Sequence, residues 1–529
     1  MALTSAAFGI FVVALMVIYF VFPVKKYQWV VLLVGSYVFY CYGGWKFPIF
    51  MIITTLSTWF AGKIIGAKAA EAKATVKAHK EDWTKEERKA YKTKAEKANR
   101  WIIFGALVLN FGILAFFKYY NFFAQMAGLP MMALILPLGI SFYTFQSMGY
   151  LIDVYRGDAE AEQNVFRFAL FVSFFPQIIQ GPISQHSQLA HQLYEEHRPE
   201  WIRFKFGLEL LLWGLFKKLV IADRAAATIA MAGQYETLCG TTLLFITLLY
   251  AVQLYADFSA GIDIIRAIAQ MLGIDMIQNF RQPYFSTSLT DYWNRWHISL
   301  GAWMKNYIFY PLALSGLAAK MTSSMESSAF GKTKAGSHIA KTLPGALASL
   351  VVFIVVGMWH GSEDKYIMFG LWNGLVIMMA ILFKPIMDWL NIELHINVDG
   401  KLHRHFRIVR TWFFVGVGYV FDIAPTAAAA GVMMKKMISN HSVTEFISQM
   451  RYMIPLNLYD CVNIALGTVI VFIVGIVRER SGENTLRVKL GQKKTYVQWL
   501  VVFAACMALL LMGRYGPGYT PGEFAYAQF

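Results

Sequence analysis

Charge is scarce in this chain. Only 15% of its 529 residues are Asp, Glu, Lys or Arg, against about 25% in ordinary globular proteins. Hydrophobic residues reach 57% and aromatics 16%, with a mean hydropathy of +0.47. A soluble domain cannot bury that much apolar surface, so a water-soluble globular fold is excluded. Cysteine is also rare: Cys41, Cys239, Cys461 and Cys506 are scattered in or near apolar stretches. No pair has metal-ligand spacing and there is no disulfide framework, so neither a metal site nor a disulfide scaffold is expected. No Lys or Arg precedes the first apolar run, Ala6–Val24. That run therefore lacks the charged start of a cleaved signal peptide and predicts a retained first helix. There is no internal repeat and no nucleotide-binding glycine loop.

What is present are apolar runs of membrane-crossing length, about 20 residues each. They recur near 5–23, 28–45, 47–65, 101–123, 131–152, 165–180, 205–222, 240–273, 345–360, 366–390, 408–424, 458–477 and 496–512. The pattern predicts an all-α polytopic membrane protein of about 11–14 helices, forming one integrated domain over 1–529. The net charge of +16 is not a nucleic-acid signal, because Lys and Arg concentrate in loops between apolar segments, as the positive-inside bias requires. The lipid bilayer, not nucleic acid, is the partner this composition implies.

Lys68–Arg100 breaks the apolar pattern. It is rich in Lys and Ala with interspersed Glu and has neither Pro nor Gly, which predicts a charged helical hairpin or arm on the cytoplasmic side. Three spans before it place the N-terminus outside and Lys25 and Lys26 inside. Arg478–Lys494 holds six Lys or Arg against two Glu and reads as the last cytoplasmic loop. The final span then runs outward, leaving the tail 513–529 extracytoplasmic. Phe166–Gln180 is short and is followed by Gly181-Pro182, the pattern of a re-entrant segment. Gln180 closes it where backbone groups need cavity partners.

Ionisable residues inside such runs are costly and read as functional. Thr290–Pro311, taken as one helix, carries Asp291, Asn294, Arg295 and His297 among seven aromatics. Asp291 and Arg295 are spaced to pair, and Asn294 and His297 share a face. His360 follows a long apolar helix and stands just before Gly361. A neutral imidazole there is suited to accept a hydroxyl proton and return it, although a lone histidine at a helix end is more commonly a hydrogen-bonded structural residue. Asp257, Asp263 and Arg266 form a further polar group, with Asp263 and Arg266 spaced as an intramembrane pair.

Four blocks together resemble one family. They are LPLGISFYTFQSMGYLIDVYRG at 136–157, FFPQIIQGPISQHSQL at 174–189, NFRQPYFSTSLTDYWNRWHISLGAWMKNYIFYPL at 279–312, and VGMWHG at 356–361 followed by FGLWNG at 369–374. The chain resembles the membrane-bound O-acyltransferases, in the branch of alginate O-acetylation and teichoic-acid D-alanylation proteins. The resemblance implies a catalytic core over 136–374 around a transmembrane tunnel. It implies His360 as the essential histidine, with His297 as a second site histidine. Asn294, Trp296, Trp359, Asp291, Arg295 and Gln180 are then expected to line the site. It further implies a bacterial plasma-membrane location and an acyl thioester, acetyl-CoA or a carrier-protein thioester, used as co-substrate from the cytoplasm. No bound cofactor is implied. The onward acceptor is an extracytoplasmic SGNH-hydrolase-like partner that modifies a cell-wall or secreted polysaccharide.

The ending Phe524-Ala525-Tyr526-Ala527-Gln528-Phe529 resembles tails of this branch in which the tyrosine is proposed to carry the acyl group. Tyr526 is therefore the expected carrier. Its own hydroxyl is a poor nucleophile without a nearby base. The chain departs from the alginate pattern after Pro311, where a Ser-, Ala- and Lys-rich loop is expected over about 315–343; donor docking is the part of the resemblance this affects. Acetyl transfer is the leading expectation and D-alanyl transfer its rival. A non-catalytic polysaccharide-export component or a transporter is the alternative of another class, although the matched broken-helix repeats of transporters are not apparent.

Overall fold

The computed structural model describes residues 2–516 together with Tyr519, Gly522 and Phe524, with the backbone alone for Ile179. Among these there is no strand, only an isolated bridge between Phe280 and Trp296. The polytopic helical expectation holds. Among the described residues, seven helices are long and apolar enough to cross a membrane. The backbone contacts group the chain into two compact units, Met1–Leu208 with Ile265–Ile277, and Glu209–Ile264 with Gln278–Ala527.

The first unit begins with α1 (Ala6–Val21), α2 (Gln28–Tyr42), α3 (Pro48–Ala78) and α4 (Lys85–Met126). At 1.5 Å per residue, α4 is about 63 Å long, twice the hydrocarbon thickness of a bilayer. Its charged first half and the charged end of α3 therefore extend past any membrane and form the hairpin read from 68–100. Thr84 starts α4 with a capping box to Glu87, which fixes the turn by satisfying two otherwise orphaned backbone donors. Then follow α5 (Ile140–Arg156), α6 (Val165–Ser173), α7 (Phe175–Gln180) and α8 (His186–Tyr194). The apolar run at 131–152 is helical only from Ile140. Gly139 adopts φ +67°, and a Cβ there would meet the Ile178 carbonyl oxygen at 2.5 Å, so α5 starts at the residue where α7 packs against the chain. The re-entrant candidate is two short helices, α6 and α7, broken at Phe174 ahead of Pro176. Their described side chains are buried from Phe168 onward, whereas Phe166 near the start of α6 is exposed.

α9 (Trp201–Phe216), α10 (Asp223–Ala230) and α11 (Gly240–Met271) lead into the second unit. It continues with α12 (Leu289–Trp293), α13 (Ile298–Met304), α14 (Tyr310–Ala313), α15 (Gly316–Ser327) and α16 (Lys334–His360). After these come α17 (Asp364–Leu382), α18 (Lys384–Glu393), α19 (Lys401–Ile423), α20 (Ala427–Ser439), α21 (Val443–Tyr452), α22 (Leu458–Ser481), α23 (Thr485–Gly491) and α24 (Thr495–Met512). Residues 217–222 and 305–309 are π-helical.

Two expectations are corrected. Residues 315–343 are not a loop: Ser315 caps α15 and Thr333 caps α16 by accepting from backbone N–H groups three residues on. Serine and threonine that looked like loop composition are here helix starts. Thr290–Pro311 is not one helix either. It breaks at His297, whose φ of +47° lies in the left-handed region and cannot continue a right-handed helix.

α16 and α17 pack backbone against backbone. A Cβ on Gly357 would meet the Tyr366 carbonyl oxygen at 2.3 Å and the Gly370 Cα at 3.2 Å. Glycine on both helices lets the two backbones touch, as small residues do in membrane helix pairs. That contact fixes the end of α16, where His360 sits.

Candidate active site

His297 is 2% and His360 6% exposed, and one aromatic ring links them. Trp359 meets His297 edge-on at 5.9 Å between ring centroids and His360 at 5.0 Å. Although 63 residues apart in sequence, the two imidazoles are brought within two ring contacts of each other. Phe258 lies at 4.9 Å from His297, while Phe369 at 5.3 Å and Tyr366 at 6.0 Å face His360.

The break at His297 is held by Asn279. The Asn279 backbone carbonyl accepts from Ile298 N–H at 3.0 Å, and its side-chain oxygen accepts from Ser299 N–H at 2.9 Å. An amide oxygen so engaged turns the NH2 group the other way, and it stands 3.3 Å from His297 Nδ1. With an NH2 donor facing it, Nδ1 is the acceptor. His297 lies outside the seven apolar spans, and burial holds its imidazole well below the ordinary value, so it is neutral. A neutral ring that accepts at Nδ1 carries its proton on Nε2.

Two voids adjoin the histidines. A cavity of about 500 Å³ is lined by His297, Asn294, Trp293, Lys305, Phe353 and Ser349, among others. A narrow cleft holds His360, Trp296, Tyr419, Asn373 and Asp422. Trp293 borders both. Its indole N–H donates to Asn373 Oδ1 at 3.0 Å, and Asn373 in turn donates to the Phe369 carbonyl at 2.9 Å. The indole is thus held as a partition.

The remaining expected residues fall as follows. Arg295 pairs with Asp291 at 2.8 Å, and both Glu479 oxygens accept from it at 2.9 and 2.8 Å. This buttresses the segment before His297; neither Asp291 nor Arg295 borders the two voids. The expected shared face of Asn294 and His297 is lost with the helix, yet both line the 500 Å³ cavity. Trp296 packs between Phe280 at 5.0 Å and Tyr292 at 5.7 Å and borders the His360 cleft. Gln180 is fully buried in the first unit and lines neither void. Tyr526 lies outside the described residues.

Several polar residues escaped the sequence reading. Asn279 looked like part of a loop. Tyr419 accepts or donates hydroxyl contacts to Tyr284 at 2.9 Å and Tyr292 at 2.8 Å. Asp422 accepts from the Tyr250 hydroxyl. Asp263 pairs with Lys217 at 2.9 Å, and Lys218 lies between Asp257 at 2.7 Å and Asp223 at 3.0 Å; Arg266 donates to the Met276 carbonyl. The signal was available: Lys217 and Lys218 interrupt an apolar run, and a membrane segment carries such charges only where partners wait. Gly214 lets α9 approach α11, since a Cβ there would meet the Ala260 carbonyl oxygen at 3.0 Å. The described residues of the tail reach this cluster. Tyr519 donates to Asp223, and the Phe524 ring lies 4.0 Å from the Lys218 ammonium.

Comparison with known proteins places the chain in a family. Residues 161–325 match the family model of the membrane-bound O-acyltransferases. The chain is 30% identical over 428 residues to the probable alginate O-acetylase AlgI of Pseudomonas aeruginosa, covering 78% of this chain and 70% of that protein. It is 28% identical over 382 residues to the peptidoglycan O-acetyltransferase of Helicobacter pylori, covering 65% and 66%. To the teichoic acid D-alanyltransferase of Bacillus subtilis it is 24% identical over 342 residues, covering 62% and 80%.

Proposed function

The chain belongs to the membrane-bound O-acyltransferase family and is an O-acyltransferase; from that premise we propose that it carries an acetyl group from a cytoplasmic thioester to an acceptor hydroxyl outside. The observation that carries the reading is the pair of buried histidines flanking Trp359, each beside its own void.

The donor, acetyl-CoA or a carrier-protein thioester, enters the cavity beside His297. The Nε2–H of His297 donates to the thioester carbonyl and stabilises the negative charge that grows on its oxygen. His360, in the adjoining cleft, removes the proton from the attacking hydroxyl. The new C–O bond forms, the C–S bond breaks, and the imidazolium returns its proton to the departing thiolate. Trp293 separates donor from acceptor until the acyl group passes. Tyr526 is the first acceptor hydroxyl, and it hands the acetyl group to the serine of an extracytoplasmic SGNH-hydrolase-like partner, with a cell-wall or secreted polysaccharide as the final acceptor. The protein then resides in a bacterial plasma membrane with both termini outside. Acetyl is favoured over D-alanyl by the higher identity to the alginate O-acetylase than to the teichoic acid D-alanyltransferase.

The test is peptide mass spectrometry of the purified protein and its His360→Ala variant after incubation with acetyl-CoA. An acetyl mass on Tyr526 in the wild type only is the expected result. A D-alanyl mass on protein taken directly from cells would replace acetyl by D-alanyl. Absence of any adduct in both, with donor supplied and no partner present, would remove Tyr526 from the pathway and leave direct transfer at His360. Polymer that is exported normally but lacks acyl groups in cells carrying His360→Ala would exclude an export role.

A further inference from the structure

A further cavity of the second unit is lined by neither His297 nor His360. It measures about 680 Å³ and lies among α11, α19, α22 and the turn at 282–285. That volume is in the range of small-ligand sites. Its walls are hydrocarbon and aromatic: Val252, Phe285, Trp412, Val471, Phe472 and Ile476. Its mouth is different in kind. Lys401, Arg404, His405, Glu479 and Arg480 gather there, and Lys401, Arg404 and Arg480 are exposed.

Glu479 does not cancel this charge. Both its oxygens are engaged by Arg295, and Arg404 approaches it only to 3.9 Å. Three cations therefore face the mouth around one carboxylate already neutralised from behind. Lys401 also begins a 23-residue helix, whose positive pole adds to them. Inside, Gly475 lies on the wall facing Phe285. A Cβ there would stand 3.4 Å from the Phe285 ring, in ordinary contact, so only a longer side chain would fill the space.

A ligand matching both halves has an anionic head and a hydrocarbon body. We propose that this cavity binds one anionic phospholipid, its phosphate held by Lys401, Arg404 and Arg480 and one acyl chain lying along Gly475. A thioester donor also carries phosphate. Its pantetheine arm, however, brings amides that need polar partners when buried, and these walls offer few. In the topology proposed above the mouth opens at the cytoplasmic surface, where anionic lipids attract juxtamembrane cations.

Native mass spectrometry of the full-length protein released from detergent micelles tests this, with phosphatidylglycerol and phosphatidylcholine of identical chains titrated in turn. The wild type is expected to retain phosphatidylglycerol at least about tenfold better. The Lys401→Ala/Arg404→Ala/Arg480→Ala variant, altered only at exposed positions, is expected to lose that preference. Gly475→Leu is expected to lower retention of both lipids, and excess acetyl-CoA to displace neither. The proposal is overturned by equal retention of the two lipids, by an unchanged preference in the triple variant, or by full retention in Gly475→Leu. Displacement by acetyl-CoA also overturns it and would make the cavity the donor's. None of these readouts depends on acyl transfer, so failure here and failure of the acyltransferase mechanism are separable.

Discussion

Replacing Lys218 by Met tests whether the ion cluster beside the tail is dry. The methionine keeps most of the side-chain volume and removes only the charge and its three donors. In the wild type the lysine and its two carboxylates have side chains 1% (Lys218), 1% (Asp257) and 4% (Asp223) exposed. Removing the cation leaves two buried like charges facing each other, the costly kind of lesion, so a loss of about 3–5 kcal/mol is expected. An exposed ion pair would be worth about 1 kcal/mol or less. Lys218→Met/Asp257→Asn should recover about half of the loss, because the remaining Asp223 still accepts from Tyr519 and no longer faces a second carboxylate. The assay is unfolding in mixed micelles by titrated sodium dodecyl sulfate, followed by tryptophan fluorescence. Trypsin cleavage after Arg514 gives an independent reading. Arg514 N–H donates to the Leu219 carbonyl at 3.0 Å and its guanidinium to the Asp223 carbonyl at 3.1 Å, so loosening the cluster should speed cleavage there. A single-variant loss under about 1 kcal/mol, with unchanged cleavage, would refute the reasoning by showing that water reaches these charges.

The site makes three further predictions. His360→Ala should lower the rate of acyl transfer about 10²–10⁴-fold, the range of a positioned acid–base group, with unchanged yield of folded protein; near wild-type turnover would exclude it as the base. Asn279→Asp should cost about 10²-fold in kcat with little change in stability. The carboxylate still accepts from Ser299 N–H, but it forces His297 Nδ1 to donate and strips the proton from Nε2; unchanged kcat would show that the Nε2 proton is not used. Trp293→Ala should join the His297 cavity to the His360 cleft and raise hydrolysis of acetyl-CoA without acceptor, read as free thiol. No rise would show that the indole is not the partition.

How much of this was legible in the chain depends on the range of each interaction. The apolar runs and the end of α16 at His360 could be read because hydropathy and a following glycine are local signals. So could the Asp291–Arg295 pair, whose partners are four residues apart. The break at His297 could not. Its neighbours favour a continuous helix, and the left-handed turn is imposed by Asn279, which reaches it from 18 residues earlier with a carbonyl, an amide oxygen and an amide NH2. The same holds for Asp263. Sequence spacing gave no sign of Lys217, which the fold brings to it from 46 residues away, because the glycine at 214 admits α11.

The distinction between the two histidines follows from this non-local set. By composition His297 and His360 are equivalent, each a histidine among aromatics. What suits His297 to its proposed role is the neighbour of its ring nitrogen. Asn279 offers His297 a donor, which assigns its remaining proton to Nε2 and suits it to stabilise an anion rather than to abstract a proton. His360 ends its helix among Trp359, Tyr366 and Phe369, with Asp422 and Tyr419 across the cleft. In the proposed mechanism one imidazole polarises a carbonyl and the other deprotonates a hydroxyl, and one backbone turn and one asparagine set the state of the first.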